Sequence, residues 1–289
     1  MDTPKNSFPL PDPSHPSEVR AFLRAEGFHP SRVLGQNFLI DRNILDIVVA
    51  AAGVAAGDEV LEVGPGLGVL TGALLAKGVR LVAVEKDHRL AAWLWERFGG
   101  RPDFTLHECD ALDADWPSLC PGPGRVLVSN LPYAIAARLL VGLAALPTPP
   151  ERMVVTVQRE VADRMAAEPS TADYGLLSIL IQRHYAVRVV KHVSPTCFWP
   201  PPEVQSTVCR LDLRRESCGN AADEEEFRRI LRMAFSRRRK TLARSLRGET
   251  PDPAEALSGA GIPALARPED LSPDQWDALV RHLALLRRT

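Results

Sequence analysis

The sequence predicts an α/β fold: a doubly wound, largely parallel sheet followed by a small all-helical domain. Two observations predict it. Short apolar strands alternate with helical patterns as far as Gln158, and such alternation implies right-handed crossovers between parallel strands. From Ala221 onwards only helical patterns remain, which sets a domain boundary near that residue. At 289 residues the chain has room for two domains of ordinary size.

Residues 1–16 carry Pro4, Pro9, Pro11, Pro13 and Pro16 with no apolar stretch of a targeting signal, and read as a flexible head. The α/β domain, 17–220, opens with a helix over Ser17–Glu26 and a second over Asn43–Ala52, N-capped by Asp41. Glu59–Val63 is the first strand, followed by a glycine-rich turn and a helix over Leu70–Lys77. Arg80–Val84 is the second strand and His88–Phe98 the next helix. Phe104–Glu108 and Arg125–Ser129 are the third and fourth strands, with a helix over Ala134–Ala145 after the latter. Arg152–Gln158 is the fifth. Tyr185–Val193 and Val204–Leu213 are β-rich runs joined by a Pro-rich loop without a helix, so they form a hairpin at the sheet edge. The sheet therefore has seven strands, and 221–289 forms the small helical domain. No internal repeat is visible.

Composition narrows the class. Thirty-five Lys and Arg against 36 Asp and Glu give a net charge of −1, with 45% apolar and 25% charged residues. That balance excludes disorder throughout, a collagenous repeat and a uniformly basic coat. The uncharged run Ile47–Gly57 has 11 residues, short of the ~18 a membrane span needs, so no membrane partner is expected. The five cysteines, Cys109, Cys120, Cys197, Cys209 and Cys218, show no metal-ligand spacing. Reduced thiols in a cytoplasmic protein without a structural metal are expected.

The chemistry begins at Leu61-Glu62-Val63-Gly64-Pro65-Gly66-Leu67-Gly68, between a strand and a helix. Glycines such as Gly64 and Gly66 let the backbone turn sharply and approach a ligand closely. Glu85 follows the second strand, where a carboxylate suits the two hydroxyls of a ribose. A dinucleotide fingerprint would need glycine where Val69 stands. The G-x-G-x-G spacing after Glu62 instead resembles motif I of the S-adenosyl-L-methionine (AdoMet) dependent methyltransferases, which implies a Rossmann-like sheet. Cys109-Asp110-Ala111-Leu112 fits the same family, in which Asp110 would accept from the adenine amine of the cofactor; a simple loop cap is the plainer role.

After the fourth strand comes Asn130-Leu131-Pro132-Tyr133. An exocyclic amine of adenine is a poor nucleophile because its lone pair is delocalised into the ring. The Asn130 side-chain oxygen and the Leu131 carbonyl could accept both N–H groups and turn the lone pair towards an incoming methyl. This is catalysis by positioning and electrostatics. Tyr133 would stack on the base, a contact worth ~1–3 kcal/mol.

That tetrapeptide is the signature of N6-adenine methyltransferases. Further segments extend the likeness: Gly35-Gln36-Asn37-Phe38-Leu39, Val157 through Arg164, Tyr174-Gly175-Leu176-Leu177-Ser178 and the loop Phe198 through Ser206. Together they resemble the bacterial small-subunit ribosomal RNA adenine dimethyltransferases over roughly residues 28–247. The resemblance implies that Asn37, Leu39, Gly64, Gly66, Glu85, Asp110 and Asn130 contact AdoMet, whose product is S-adenosyl-L-homocysteine. It implies that Asn130, Leu131 and Tyr133 form the target-adenine site, with Phe198 closing the opposite face of the base. Two adjacent adenines in a hairpin loop near the 3′ end of 16S rRNA would be dimethylated, within the 30S subunit or its precursor, by a monomer. The target base must leave its stack to reach the pocket.

The chain departs from the family where RNA phosphates would lie. Only Arg32 stands before the Gly35 segment, Glu203 and Gln205 occupy loop positions where Lys and Asp are common, and Ala167–Asp173 has no basic residue. Arg228 to Arg247 compensates, with nine cations and no acid, among them Arg237, Arg238, Arg239 and Lys240. Such a face binds phosphates and weakens steeply with salt; a solvated charged helix is the alternative. Two other functions stay open at this point: a macrolide-resistance type methyltransferase of 23S rRNA, usually carrying N-I-P-Y, and a non-catalytic RNA-binding factor on the same fold. A nicotinamide dehydrogenase is disfavoured by Val69.

Overall fold

Apolar runs of five to seven residues flanked by helices bury both faces of a parallel sheet, and this chain builds one. The computed structural model describes residues 16–25, 27, 30, 35–119, 122–214, 221–236 and 240–286. Helix α1 (Pro16–Ala25) precedes a two-residue strand β1 (Phe38–Leu39) and helix α2 (Arg42–Ala52). Asp41 caps α2 as expected, its carboxylate accepting from the Ile44 N–H at 3.0 Å. Strand and helix then alternate through β2 (Glu59–Val63), α3 (Val69–Leu75), β3 (Arg80–Glu85), α4 (His88–Phe98) and β4 (Phe104–Glu108). The short α5 (Trp116–Leu119), β5 (Val126–Asn130), α6 (Ala136–Ala144) and β6 (Arg152–Gln158) continue the pattern. Next come α7 (Arg159–Ala166), α8 (Leu176–Gln182), β7 (Tyr185–Val193), β8 (Phe198–Trp199) and β9 (Ser206–Leu213). Helices α9 (Ala221–Phe235), α10 (Leu242–Ser245), α11 (Pro253–Gly259) and α12 (Pro273–Leu286) follow.

Seven strands form one sheet in the order β4-β3-β2-β5-β6-β9-β7. The first five in that order pair in parallel, and β9 runs antiparallel to β6. At the sheet edge, where the hairpin is expected, β7 lies outermost beside β9. Strands β3 and β5 flank β2 on opposite sides, so the chain reverses its direction of travel across the sheet there. The carboxyl ends of strands at such a switch point form a crevice where ligands bind. Separately, β1 and β8 pair antiparallel, matching Leu39 with Phe198 and Phe38 with Trp199.

The chain divides into two compact units, Met1–Ala162 with Arg188–Asp212, and Asp163–Val187 with Leu213–Thr289. The first buries Val60, Leu81, Val128 and Val154 of the sheet with Leu45, Val48, Leu74 and Leu94 of its helices. The second buries Tyr174 and Ile179 with Phe227, Leu231, Trp276 and Leu279. Each such side chain contributes about 1.5–3 kcal/mol on burial. Within this unit the Tyr174 hydroxyl donates to the Leu271 carbonyl at 2.7 Å. Arg183 bonds Glu224 and Asp277 and lies 4.0 Å over the Phe227 ring. Residues 163–187 thus share a core with the C-terminal helices. No helix among the described residues is long and apolar enough to cross a membrane.

Candidate active site

The carboxyl ends of β2, β3 and β5, with β1 beside them, wall a cleft of about 1210 Å3, open mouth included. Its floor is the turn between β2 and α3. Gly64, Gly66 and Gly68 have φ of 65°, 60° and 83°, a region that costs other residues ~1–2 kcal/mol. Space is as strict as conformation. A Cβ on Gly64 would lie 3.1 Å from the Pro132 ring, and one on Gly66 3.0 Å from the Phe38 ring.

Two carboxylates sit under this turn. Glu85, the last residue of β3, is 6% exposed; one oxygen accepts from the Gly66 N–H at 3.2 Å and the other from the Asp87 N–H at 2.9 Å. Burial raises its carboxyl above the ordinary value, opposed by those backbone bonds. Each oxygen keeps a lone pair for a ligand hydroxyl. Glu62 is deeper, and burial pushes its carboxyl up to about 8 while the Thr71 hydroxyl donates to it at 2.7 Å. At the far end, Asp110 accepts from the Leu112 N–H at 2.9 Å, which is the loop-capping role, and from the Lys86 ammonium at 2.6 Å. The Lys86 bond leads the causes that hold its carboxyl below the usual range.

The opposite end of the cleft is built on the end of β5. The Asn130 amide donates to the Asn37 carbonyl at 3.0 Å, which ties the Gly35–Leu39 segment to the sheet. Its side-chain oxygen Oδ1 is buried and has no hydrogen-bond partner among the described residues. Such an orphan costs ~1–3 kcal/mol unless a water or ligand donor fills it. Leu131 is 1% exposed and fixed by its N–H to the Thr156 carbonyl at 3.1 Å. Tyr133 lines the same cleft, and its hydroxyl lies 2.5 Å from the Ser206 hydroxyl. Burial raises the phenol above its ordinary value.

Comparison with known proteins decides the family. The profile described as ribosomal RNA adenine dimethylase matches residues 28–285. The chain belongs to the ribosomal RNA adenine dimethylase family. Among its relatives, the ribosomal RNA small subunit methyltransferase A of Acidobacterium capsulatum is 40% identical, covering 93% of this chain and 96% of its own. That of Moorella thermoacetica is 38% identical, covering 93% and 97%. A dimethyladenosine transferase from Plasmodium falciparum superposes with a TM-score of 0.70 at 25% identity, over 84% of this chain and 95% of its own. The 23S rRNA methyltransferase ErmE gives 0.65 at 28% identity, over 86% and 100%. The α/β methyltransferase fold and enzyme class expected from the motifs both stand.

Within this dimethylase, the cleft gathers Asn37, Leu39, Gly64, Gly66, Glu85, Asp110, Asn130, Leu131 and Tyr133. Phe198 is not among the lining residues, although its strand partner Leu39 is. It is 1% exposed and packs in the core with Val193 and Val208, as an aromatic paired to Leu39 among apolar neighbours does. Of the basic run, Arg237, Arg238 and Arg239 lie outside the described residues, as does Arg32, and Lys240 is exposed. Two other cations of the run are tied to acids just beyond its ends: Arg228 to Glu224 at 2.7 Å, and Arg229 to Glu226 at 2.8 Å and Glu249 at 2.5 Å. Arg244 and Arg247 are exposed. Sequence reasoning gave no role to Lys86 or to Ser206, since both act through partners 24 and 73 residues away.

Proposed function

We propose that this dimethylase transfers methyl groups from AdoMet to N6 of two adjacent adenines in a hairpin loop near the 3′ end of 16S rRNA. We place the reaction in the cytoplasm, on the 30S subunit or its precursor, with the enzyme acting as a monomer. The observation that carries the reading is the buried, unpartnered Asn130 Oδ1 beside the Leu131 backbone. An acceptor stranded at the end of a strand fits an amine that must be held by its hydrogens.

The residues present fit AdoMet as the co-substrate. Glu85 offers buried acceptors for ribose hydroxyls, Asp110 an acceptor for an adenine amine, and the Gly64–Gly66 turn a glycine backbone lining the cleft. When bound, the sulfonium would supply an electrophilic methyl group. Asn130 Oδ1 and the Leu131 carbonyl would each accept one N–H of the target amine and turn its lone pair out of conjugation. No strong base is required, since the amine becomes acidic only as the new bond forms. Tyr133 would hold the flipped base by stacking. The exposed cations Lys240, Arg244 and Arg247, with Arg237, Arg238 and Arg239, would supply phosphate contacts.

Asn130→Ala tests the reading. Methyl transfer to unmethylated small subunits should fall by about 10²–10³, the scale for losing one preorganised polar group, while subunit binding stays within about twofold. Turnover near that of the unaltered enzyme would remove the amine-orienting role.

A further inference from the structure

We propose that Ser206 is a positioning residue that fixes the plane of the Tyr133 ring before the target base arrives, an inference resting on the function proposed above. Tyr133 is constrained at its backbone because Pro132 packs against the Gly64 turn. Its side chain still has two torsions, and a ring that swings about them cannot offer one stacking plane. The far end of the ring is held at its hydroxyl, 2.5 Å from Ser206 Oγ.

The anchor is itself rigid. Ser206 is 0% exposed, opens β9 and stands opposite Gln158 of β6 in the antiparallel register. The preceding residue is fixed too, with the Gln205 carbonyl accepting from the Arg159 N–H at 2.9 Å. The tyrosine is therefore braced on the sheet at one end and on the cofactor turn at the other. Burial raises the phenol above its ordinary value, and either hydroxyl can donate in the bond.

The brace should matter most for the second transfer. An unmethylated amine has two N–H groups for Asn130 Oδ1 and the Leu131 carbonyl. After one methylation a single N–H remains, and placement of the nitrogen relies more on stacking. Losing the brace should then release monomethylated adenine that the intact site carries on to the dimethylated product. The step itself is unchanged: a carbon–sulfur bond breaks, a carbon–nitrogen bond forms, and the amine proton leaves to solvent.

Ser206→Ala and Tyr133→Phe remove the bond from its two sides and leave the ring in place. Each should slow the second transfer roughly fivefold, the scale of one hydrogen bond's net contribution. Nucleoside mass spectrometry of treated small subunits should show N6-monomethyladenosine accumulating in both. The double variant should do no worse than either single, and calorimetric AdoMet affinity should be unchanged in all three. An unaltered ratio of mono- to dimethyladenosine in Ser206→Ala, or multiplying effects in the double variant, would overturn the proposal. Failure of the unaltered enzyme to methylate adenine would instead overturn the proposed function.

Discussion

Glu85→Gln keeps the volume of the side chain and removes its charge. In the structure both carboxylate oxygens already accept from backbone, Gly66 at 3.2 Å and Asp87 at 2.9 Å. An amide can satisfy one of those N–H groups with its oxygen and must turn its NH2 on the other. One buried donor is then left facing a donor, a stability cost of about 1–3 kcal/mol. The ligand loses at least one charge-assisted hydrogen bond from a ribose hydroxyl, about 1.5–3 kcal/mol, or about 10- to 150-fold in Kd. Calorimetric titration with AdoMet in the absence of RNA reads this directly, with thermal melting in parallel. Burial raises the Glu85 carboxyl, and a ligand that needs the carboxylate competes with that proton. AdoMet affinity of the unaltered chain should therefore decline as pH falls through the raised value, and this component should vanish in the variant. A Kd within about threefold of the unaltered chain would refute the ribose-binding role.

Two further perturbations probe the glycine-rich turn after β2 and the basic run. Because burial lifts the Glu62 carboxyl to about 8, the free fold holds its proton while the unfolded chain has released it above the ordinary value. Stability should fall as pH rises between about 4.5 and 8, and Glu62→Gln should flatten that slope in melts followed by circular dichroism. Reversing Arg237, Arg238 and Arg239 to Glu should weaken small-subunit binding and reduce the slope of log affinity against log salt by about three, one for each lost phosphate contact; an unaltered slope would return the run to a solvated charged surface.

Much of the fold is legible because buried strands between helices must be short and apolar. Glu59–Val63, Phe104–Glu108, Arg152–Gln158, Tyr185–Val193 and the helix His88–Phe98 occur with the expected bounds, and the other ends move by at most two residues. The β1–β8 pair escapes sequence reasoning because two residues carry no periodicity and the partners are about 160 positions apart. It is that pair which draws Phe198 into the core and sets Leu39 at the cleft wall. Residues 163–187 read in sequence as part of the α/β domain, yet Tyr174 and Ile179 bury against the C-terminal helices. Their apolar character is visible in sequence, but the surface they meet is not. The cleft residues themselves were legible as motifs. The stranded oxygen of Asn130, the Lys86–Asp110 pair and the Tyr133–Ser206 brace arise only when distant segments meet.

The near-neutral total charge also takes on a different meaning. Nine cations fall between Arg228 and Arg247, so the other residues sum to −10 against the total of −1. Arg228 and Arg229 are engaged by nearby glutamates, and the remainder leave an RNA-facing role for this segment open to test by salt dependence. The central claim is tested most directly by offering labelled AdoMet and the enzyme to unmethylated 30S particles, 50S particles and free 16S rRNA, then analysing the nucleosides by mass spectrometry. The account predicts N6,N6-dimethyladenosine from the 30S particle, at two adjacent adenines near the 3′ end of its rRNA. Dimethyladenosine from the 50S particle alone, or no methylated adenine in any substrate, would contradict it.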